Sequence, residues 1–145
     1  MKKLVLLLAT TFAACQLHAA DAGWLTDLPK AQEQAKAEKK LVLIDFTGSD
    51  WCPPCKNLHK TVLTAPEFLA FAKDNLVLVD IDFPNSKPQS AELKAANKAL
   101  AKKFGVTGYP TVIVLDASGK ELFKKVGYGG TPAKAYVADL AKLKQ

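Results

Sequence analysis

The chain has 145 residues, of which 49% are hydrophobic and 23% charged, and its formal net charge is +6. Such a composition favours one globular domain and excludes a disordered or low-complexity chain. Basic residues are scattered, adjacent only at Lys2-Lys3, Lys39-Lys40, Lys102-Lys103 and Lys124-Lys125; without a basic block interleaved with aromatics, nucleic acid is not expected as a partner.

Met1-Lys2-Lys3, the apolar run from Leu4 to Ala14 and the small-residue exit Leu17-His18-Ala19-Ala20 read as an export signal. The run is shorter than the ~20 apolar residues that span a bilayer. Residues 1–20 are therefore expected to be cleaved, leaving residues 21–145 as a single soluble domain in the periplasm or cell envelope. Loss of Lys2 and Lys3 would leave 18 basic against 14 acidic residues, or +4. Phe12-Ala13-Ala14-Cys15 also resembles the lipobox of bacterial lipoproteins. In that case Cys15 would be acylated and would tether the domain to a membrane.

Trp24 to Lys39 is predicted as an N-terminal helix, capped by Thr26 or Asp27 and carrying Pro29 in its first turn. Leu25, Leu28, Ala31 and Ala35 recur at helical spacing on its apolar side. Leu41 to Phe46 is a continuous apolar run too short for an ordinary helix, hence a buried strand. Thr47 to Asp50 is a loop, and a helix opens near Pro53-Pro54 with Leu58, Val62 and Leu63 inward. A break at Thr64-Ala65-Pro66 leads to a second helical segment, with Phe68, Leu69, Phe71 and Ala72 facing the core. Leu76 to Phe83 is a second buried strand, in which Asp80 and Asp82 are expected to be solvated or turn-forming. Pro84 to Ser90 is a loop, and Ala91 to Phe104 a helix with the stripe Leu93, Ala96, Leu100 and Phe104, ended by Gly105. Thr111 to Leu115 and Lys120 to Val126 form a hairpin around Asp116-Ala117-Ser118-Gly119. Thr131-Pro132 starts a last helix with Tyr136, Val137, Leu140 and Leu143 inward. The fold class is α/β: a mixed sheet of about four strands with helices on both faces. The first and second strands, and the second and third, could be parallel neighbours or near neighbours.

The chemistry concentrates in Asp50-Trp51-Cys52-Pro53-Pro54-Cys55-Lys56. A helix N-terminus leaves about four N–H groups unpaired and carries roughly half a positive charge. A thiolate at Cys52 would be stabilised there, below the free pKa of about 8.5. Pro53 stands where a helix tolerates proline. Cys55, one turn on, can reach Cys52 to close a disulfide, so a reversible dithiol–disulfide couple is expected. Asp45 lies in the apolar run before the loop, where desolvation raises a carboxyl pKa.

These residues together resemble the thioredoxin superfamily, and within it exported bacterial thioredoxin-like proteins. The similarity rests on Val42-Leu43-Ile44-Asp45-Phe46 leading to Trp51-Cys52-Pro53-Pro54-Cys55-Lys56, on Val79-Asp80-Ile81-Asp82, on Gly105-Val106-Thr107-Gly108-Tyr109-Pro110-Thr111, and on Lys120-Glu121-Leu122 to Gly127. It implies a thioredoxin-like fold over residues 24 to 144. Three details depart from compact members. The loop before Trp51 is one residue longer, twenty-seven residues separate Asp82 from Pro110, and Leu78 stands where the family has a lysine.

The resemblance implies a thiol–disulfide oxidoreductase. Cys52, more exposed than its partner, would attack a substrate disulfide, and Cys55 would then attack Cys52 and release the product. Asp45 would move a proton to and from Cys55. Pro110 would be a cis-proline whose loop pairs with an extended substrate, bordered by Tyr109 and Trp51. Substrates would be protein thiols and disulfides. A membrane electron-transfer partner is expected, and the protein is expected to be a monomer. No cofactor or metal is expected beyond the Cys52-Cys55 pair. The competing readings are a metal-handling module using Cys52, Cys55 and His59, a disulfide oxidase or isomerase, and a binding module that does not turn over.

Overall fold

The structure is a computed structural model and describes residues 23–144. The expected signal at 1–20, with Cys15, lies outside the described residues.

A five-stranded mixed sheet runs through the centre in the order β1-β3-β2-β4-β5. Its strands are β1 (Trp24–Leu25), β2 (Leu41–Thr47), β3 (Leu76–Asp82), β4 (Thr111–Leu115) and β5 (Glu121–Val126). β3 lies parallel to both β2 and β1, while β4 runs antiparallel to β2 and to β5. The second and third apolar runs are therefore neither neighbours nor parallel: β2 lies between them, and β4 comes in reversed. Val42 to Phe46 are all buried, which is why β2 reads as an unbroken apolar run rather than an alternating one.

Helices α1 (Leu28–Glu38) and α4 (Ala91–Lys103) cover one face, and α2 (Pro53–Leu58), α3 (Pro66–Asn75) and α5 (Ala133–Ala141) the other. On the first face Leu28, Ala31 and Ala35 meet Val42, Ile44, Phe46, Val79 and Ile81. On the second, Leu58, Val62, Phe68, Tyr136 and Leu140 meet Leu43, Leu78 and Val112. The alternation of β2 sends Leu43 and Asp45 toward this second face.

Three sequence expectations change. The N-terminal helix begins at Leu28, not Trp24, because Asp27 caps it, its side chain accepting from Lys30 N–H at 3.0 Å. The residues before that cap are extended, and Trp24–Leu25 add a fifth strand on the edge of β3. In α3, Leu69 is exposed, while Phe68 and Ala72 are buried. In α4 the stripe shifts: Ala96 is exposed, and Asn97 is the fully buried residue because its amide donates to the Asp82 carbonyl at 2.9 Å.

Between α2 and α3 the chain makes a π-helical turn, His59–Leu63, which keeps Val62 and Leu63 in the core before the break ahead of Pro66.

Candidate active site

The loop leaving β2 folds onto Gly48, whose carbonyl accepts from the N–H groups of Trp51 (3.2 Å) and Cys52 (2.9 Å). Cys52 then caps α2 in an extended conformation. Its Sγ accepts from Cys55 N–H at 3.4 Å, and Pro53 and Pro54 occupy the first turn. Cys52 and Cys55 form a disulfide with Cα atoms 5.3 Å apart. The expected greater exposure of Cys52 is not seen in this oxidised state: the two residues are 3% and 2% exposed. The bond turns Cys52 Sγ back onto the first turn of α2.

Asp45 is buried in β2, the strand that leads into this loop, and the strand's alternation puts it on the face that α2, α3 and α5 cover. Burial, followed by the charges of Asp80 and Asp82, pushes its carboxyl up to about 8. Its Oδ1 has no hydrogen-bond partner. Burial and then Asp45 also push the Tyr136 phenol above its usual range. Asp80, expected to be solvated or in a turn, is instead the register partner of Asp45 in the parallel β2–β3 pair. Burial and the nearby Asp82 raise it to about 6, against an opposing pull from Lys87. Asp82 does organise a turn, accepting from Ser49 N–H (2.9 Å) and Ser49 Oγ (2.6 Å).

Thr111 pairs with Phe46, so the residues just before β4 lie beside the disulfide loop. There the Tyr109-Pro110 bond is cis and Pro110 is buried. Trp51, 42% exposed, meets the edge of Tyr109 with ring centroids 5.8 Å apart. Val126, also exposed, is the register partner of Thr111 on the other flank of the proline loop. The structure thus brings Trp51, Cys52, Cys55, Tyr109 and Pro110 together at one end of the sheet, with Asp45 buried in the strand that leads there.

Two residues of this region were missed in the sequence. Phe83, counted there as the end of a buried strand, is half-buried and lies 5.2 Å from the Tyr109 ring centroid. Its carbonyl accepts from Trp51 Nε1 at 2.7 Å. Asp50 holds the loop after Phe83: its carboxylate accepts from the N–H groups of Asn85 (2.9 and 3.1 Å), Ser86 (2.6 Å) and Lys87 (3.2 Å). These bonds hold the Asp50 carboxyl below its usual value. The only hint in the sequence was an Asp beside Trp51 and a Phe before Pro84, neither of which signals a contact across more than thirty residues.

Gly48 lies against the Trp51 indole. A Cβ there would stand 2.5 Å from Cε2, so the indole would have to move. Gly48→Ala is expected to cost about 1–3 kcal/mol and to break the bond to the Phe83 carbonyl. Urea unfolding and the emission of Trp51, with Trp24 replaced by Phe, measure the two effects.

His59 is exposed at the start of the π turn. Among the described residues no group of three or more His, Cys, Asp or Glu side chains could hold a metal ion.

Comparison with known proteins gives a consistent picture. The family profile of the thioredoxin-like domain matches residues 28–144. Disulfide bond reductase DsbH of Chlamydia pneumoniae is 35% identical over 122 residues, covering 84% of this chain and 72% of that protein. The thiol:disulfide interchange protein DsbD of Cronobacter sakazakii is 37% identical over 111 residues, which are 75% of this chain but 17% of that protein. Among solved structures, a DsbH oxidoreductase superposes with a TM-score of 0.77 at 30% identity, covering 99% of this chain and 94% of that one.

Proposed function

Since the chain belongs to the thioredoxin-like domain family and is a thiol–disulfide oxidoreductase, we propose that it is exported and reduces or exchanges protein disulfides in the cell envelope. The observation that carries this reading is the placement of the Cys52–Cys55 disulfide: at the start of α2 and beside the cis Tyr109-Pro110 loop.

In the reducing direction the reduced pair reacts in two exchanges. Cys52 thiolate attacks one sulfur of the substrate disulfide, that S–S bond breaks, and the leaving sulfur departs as a thiolate that takes up a proton. Cys55 then gives its proton to ionised Asp45, and its thiolate attacks Cys52 Sγ. The mixed disulfide breaks, the substrate leaves as a dithiol, and two electrons have passed from this protein to the substrate. Asp45 suits that role because its carboxyl, unpaired and raised to about 8, ionises near the range where a thiol does. An N-terminal export signal supports the compartment, and re-reduction of the Cys52–Cys55 disulfide calls for a membrane electron-transfer partner. Trp51, Tyr109 and Pro110 are the substrate-docking residues of this reading, with the proline loop offering backbone groups to an extended segment. A protein disulfide bond reductase as a relative supports the reducing direction over the oxidising one.

The reduction potential of the pair, measured by equilibration with glutathione, tests the direction. A reductant is expected near the thioredoxin end of the family range, about −270 mV, and a value near −120 mV would make the protein an oxidant instead.

A further inference from the structure

We infer that Phe83 is a specificity-determining residue of the docking surface, and that Asp50 is a positioning residue that holds it and Trp51 as one wall beside the disulfide. The inference rests on the reading above, that protein disulfides dock at this end of the sheet.

The wall is built from both sides of a long sequence separation. Phe83 is pinned by its own backbone: its N–H donates to the Thr47 carbonyl at 2.9 Å and its carbonyl accepts from Trp51 Nε1 at 2.7 Å. The Trp51 indole has no other polar partner among the described residues, so its orientation depends on where Phe83 lies. The segment that follows Phe83 is bolted to residue 50 by three successive N–H groups on one carboxylate. Lys87 Nζ adds a bond to Ser49 Oγ at 2.9 Å, and Lys56 Nζ reaches the Asp50 carbonyl at 2.8 Å from the first turns of α2. Residues 49–51 and 83–87 are therefore joined into one piece on the cysteine side of the sheet.

Two rings stand in that piece, Trp51 exposed and Phe83 partly buried against the core. Tyr109 lies between the other two rings, 5.8 Å from Trp51 and 5.2 Å from Phe83. A backbone segment laid along the Tyr109-Pro110 loop would bring the side chain next to its cysteine against these rings. An apolar or aromatic residue there gains contact area against the rings, which a carboxylate does not. The substrate class is thus a protein disulfide with an apolar neighbour to the cysteine, in an extended segment. Asp50 touches no substrate in this arrangement and acts only through the wall.

The test uses a disulfide-containing peptide with Leu beside its cysteine, the same peptide with Asp there, and hydroxyethyl disulfide, which is too small to reach the wall. For Phe83→Ala, KM for the Leu peptide is expected to rise about tenfold, with kcat changed less than about twofold and KM for hydroxyethyl disulfide unmoved. Asp50→Ala should raise the same KM in the same selective way. The double variant should lose less than the sum of the two single losses, because both act on one element. Additive effects in the double variant, equal losses on all three substrates, or no preference of the wild-type protein for Leu over Asp would overturn the inference. If the wild-type protein reduces none of the three, the functional reading itself falls. Circular dichroism of each variant identifies a folding failure, and the Phe83→Ala result then decides, since that substitution leaves the Asp50 bonds in place.

Discussion

Cys55→Ala is expected to stop turnover at a covalent intermediate. With Cys52 left as the sole thiol of the pair, attack on a substrate disulfide still proceeds, but nothing resolves the mixed disulfide. Steady-state reduction of a protein disulfide should fall by about three orders of magnitude, while an adduct of enzyme and substrate builds up stoichiometrically. Non-reducing electrophoresis and intact mass spectrometry read that adduct directly. Cys52→Ser should lose the same activity without forming it. The asymmetry follows from the geometry: Cys52 caps α2 at the mouth of the loop, whereas Cys55 stands inside the first turn. Adducts that form on Cys55 in the Cys52→Ser variant at the wild-type rate would reverse the two roles.

The second large effect belongs to Asp45. In the folded chain this carboxyl keeps its proton to about pH 8, against an ordinary value of 3.8. Below that ordinary value both folded and unfolded chains are protonated, and the group's contribution to stability is fully present. As pH rises the unfolded chain ionises first, so stability falls steadily until the folded carboxyl ionises as well. Each pH unit in that window is worth about 1.4 kcal/mol, and four such units give a loss on the order of 5 kcal/mol. Asp45→Asn removes the titration. The variant is expected to be several kcal/mol more stable than wild type at pH 8 to 9, with the gap closing toward pH 4. Urea unfolding across that range measures it. On the mechanism proposed above, the same substitution also removes the group that takes the Cys55 proton in its ionised form, and turnover should drop on the order of tenfold to a hundredfold. Asp80→Asn takes away a like charge from the register partner, so the loss of stability should be complete at a lower pH than in wild type.

Much of this architecture was legible in the order of residues. Leu41 to Phe46, Leu76 to Asp82 and Thr111 to Leu115 announce themselves because strands buried on both faces are mostly apolar at successive positions rather than alternating. The cysteine pair, Asp45 and the Tyr109-Pro110 loop were legible because each sits at a boundary that a local rule marks: a helix start, an acid inside an apolar run, a proline before a strand. What was lost depends on partners distant in sequence. Trp24–Leu25 become a strand only because the edge of β3 is open to them, and two residues carry no period of their own. The tie between Asp45 and Asp80 is a fact of register, which no single strand encodes. Asp50 and Phe83 belong to the site through hydrogen bonds between loops, and Asn97 is buried by a carbonyl fifteen residues away.

The short β1 has a bearing on how the protein survives its own substrates. A thiol–disulfide exchanger meets chains that are partly unfolded and rich in unpaired strands, and an open sheet edge would zip onto them. Two residues of β1 occupy the middle of the β3 edge, facing Leu78 and Val79, and present too little ladder of their own for a third strand to follow. At the opposite margin β5 carries Glu121, Lys124 and Lys125 within six residues, and Lys124 Nζ is drawn across to the carbonyls of Phe104 and Gly105. Both margins are thus poor templates for aggregation, which leaves the proposed docking surface beside the cysteines as the place where a client's contact ends in chemistry and release.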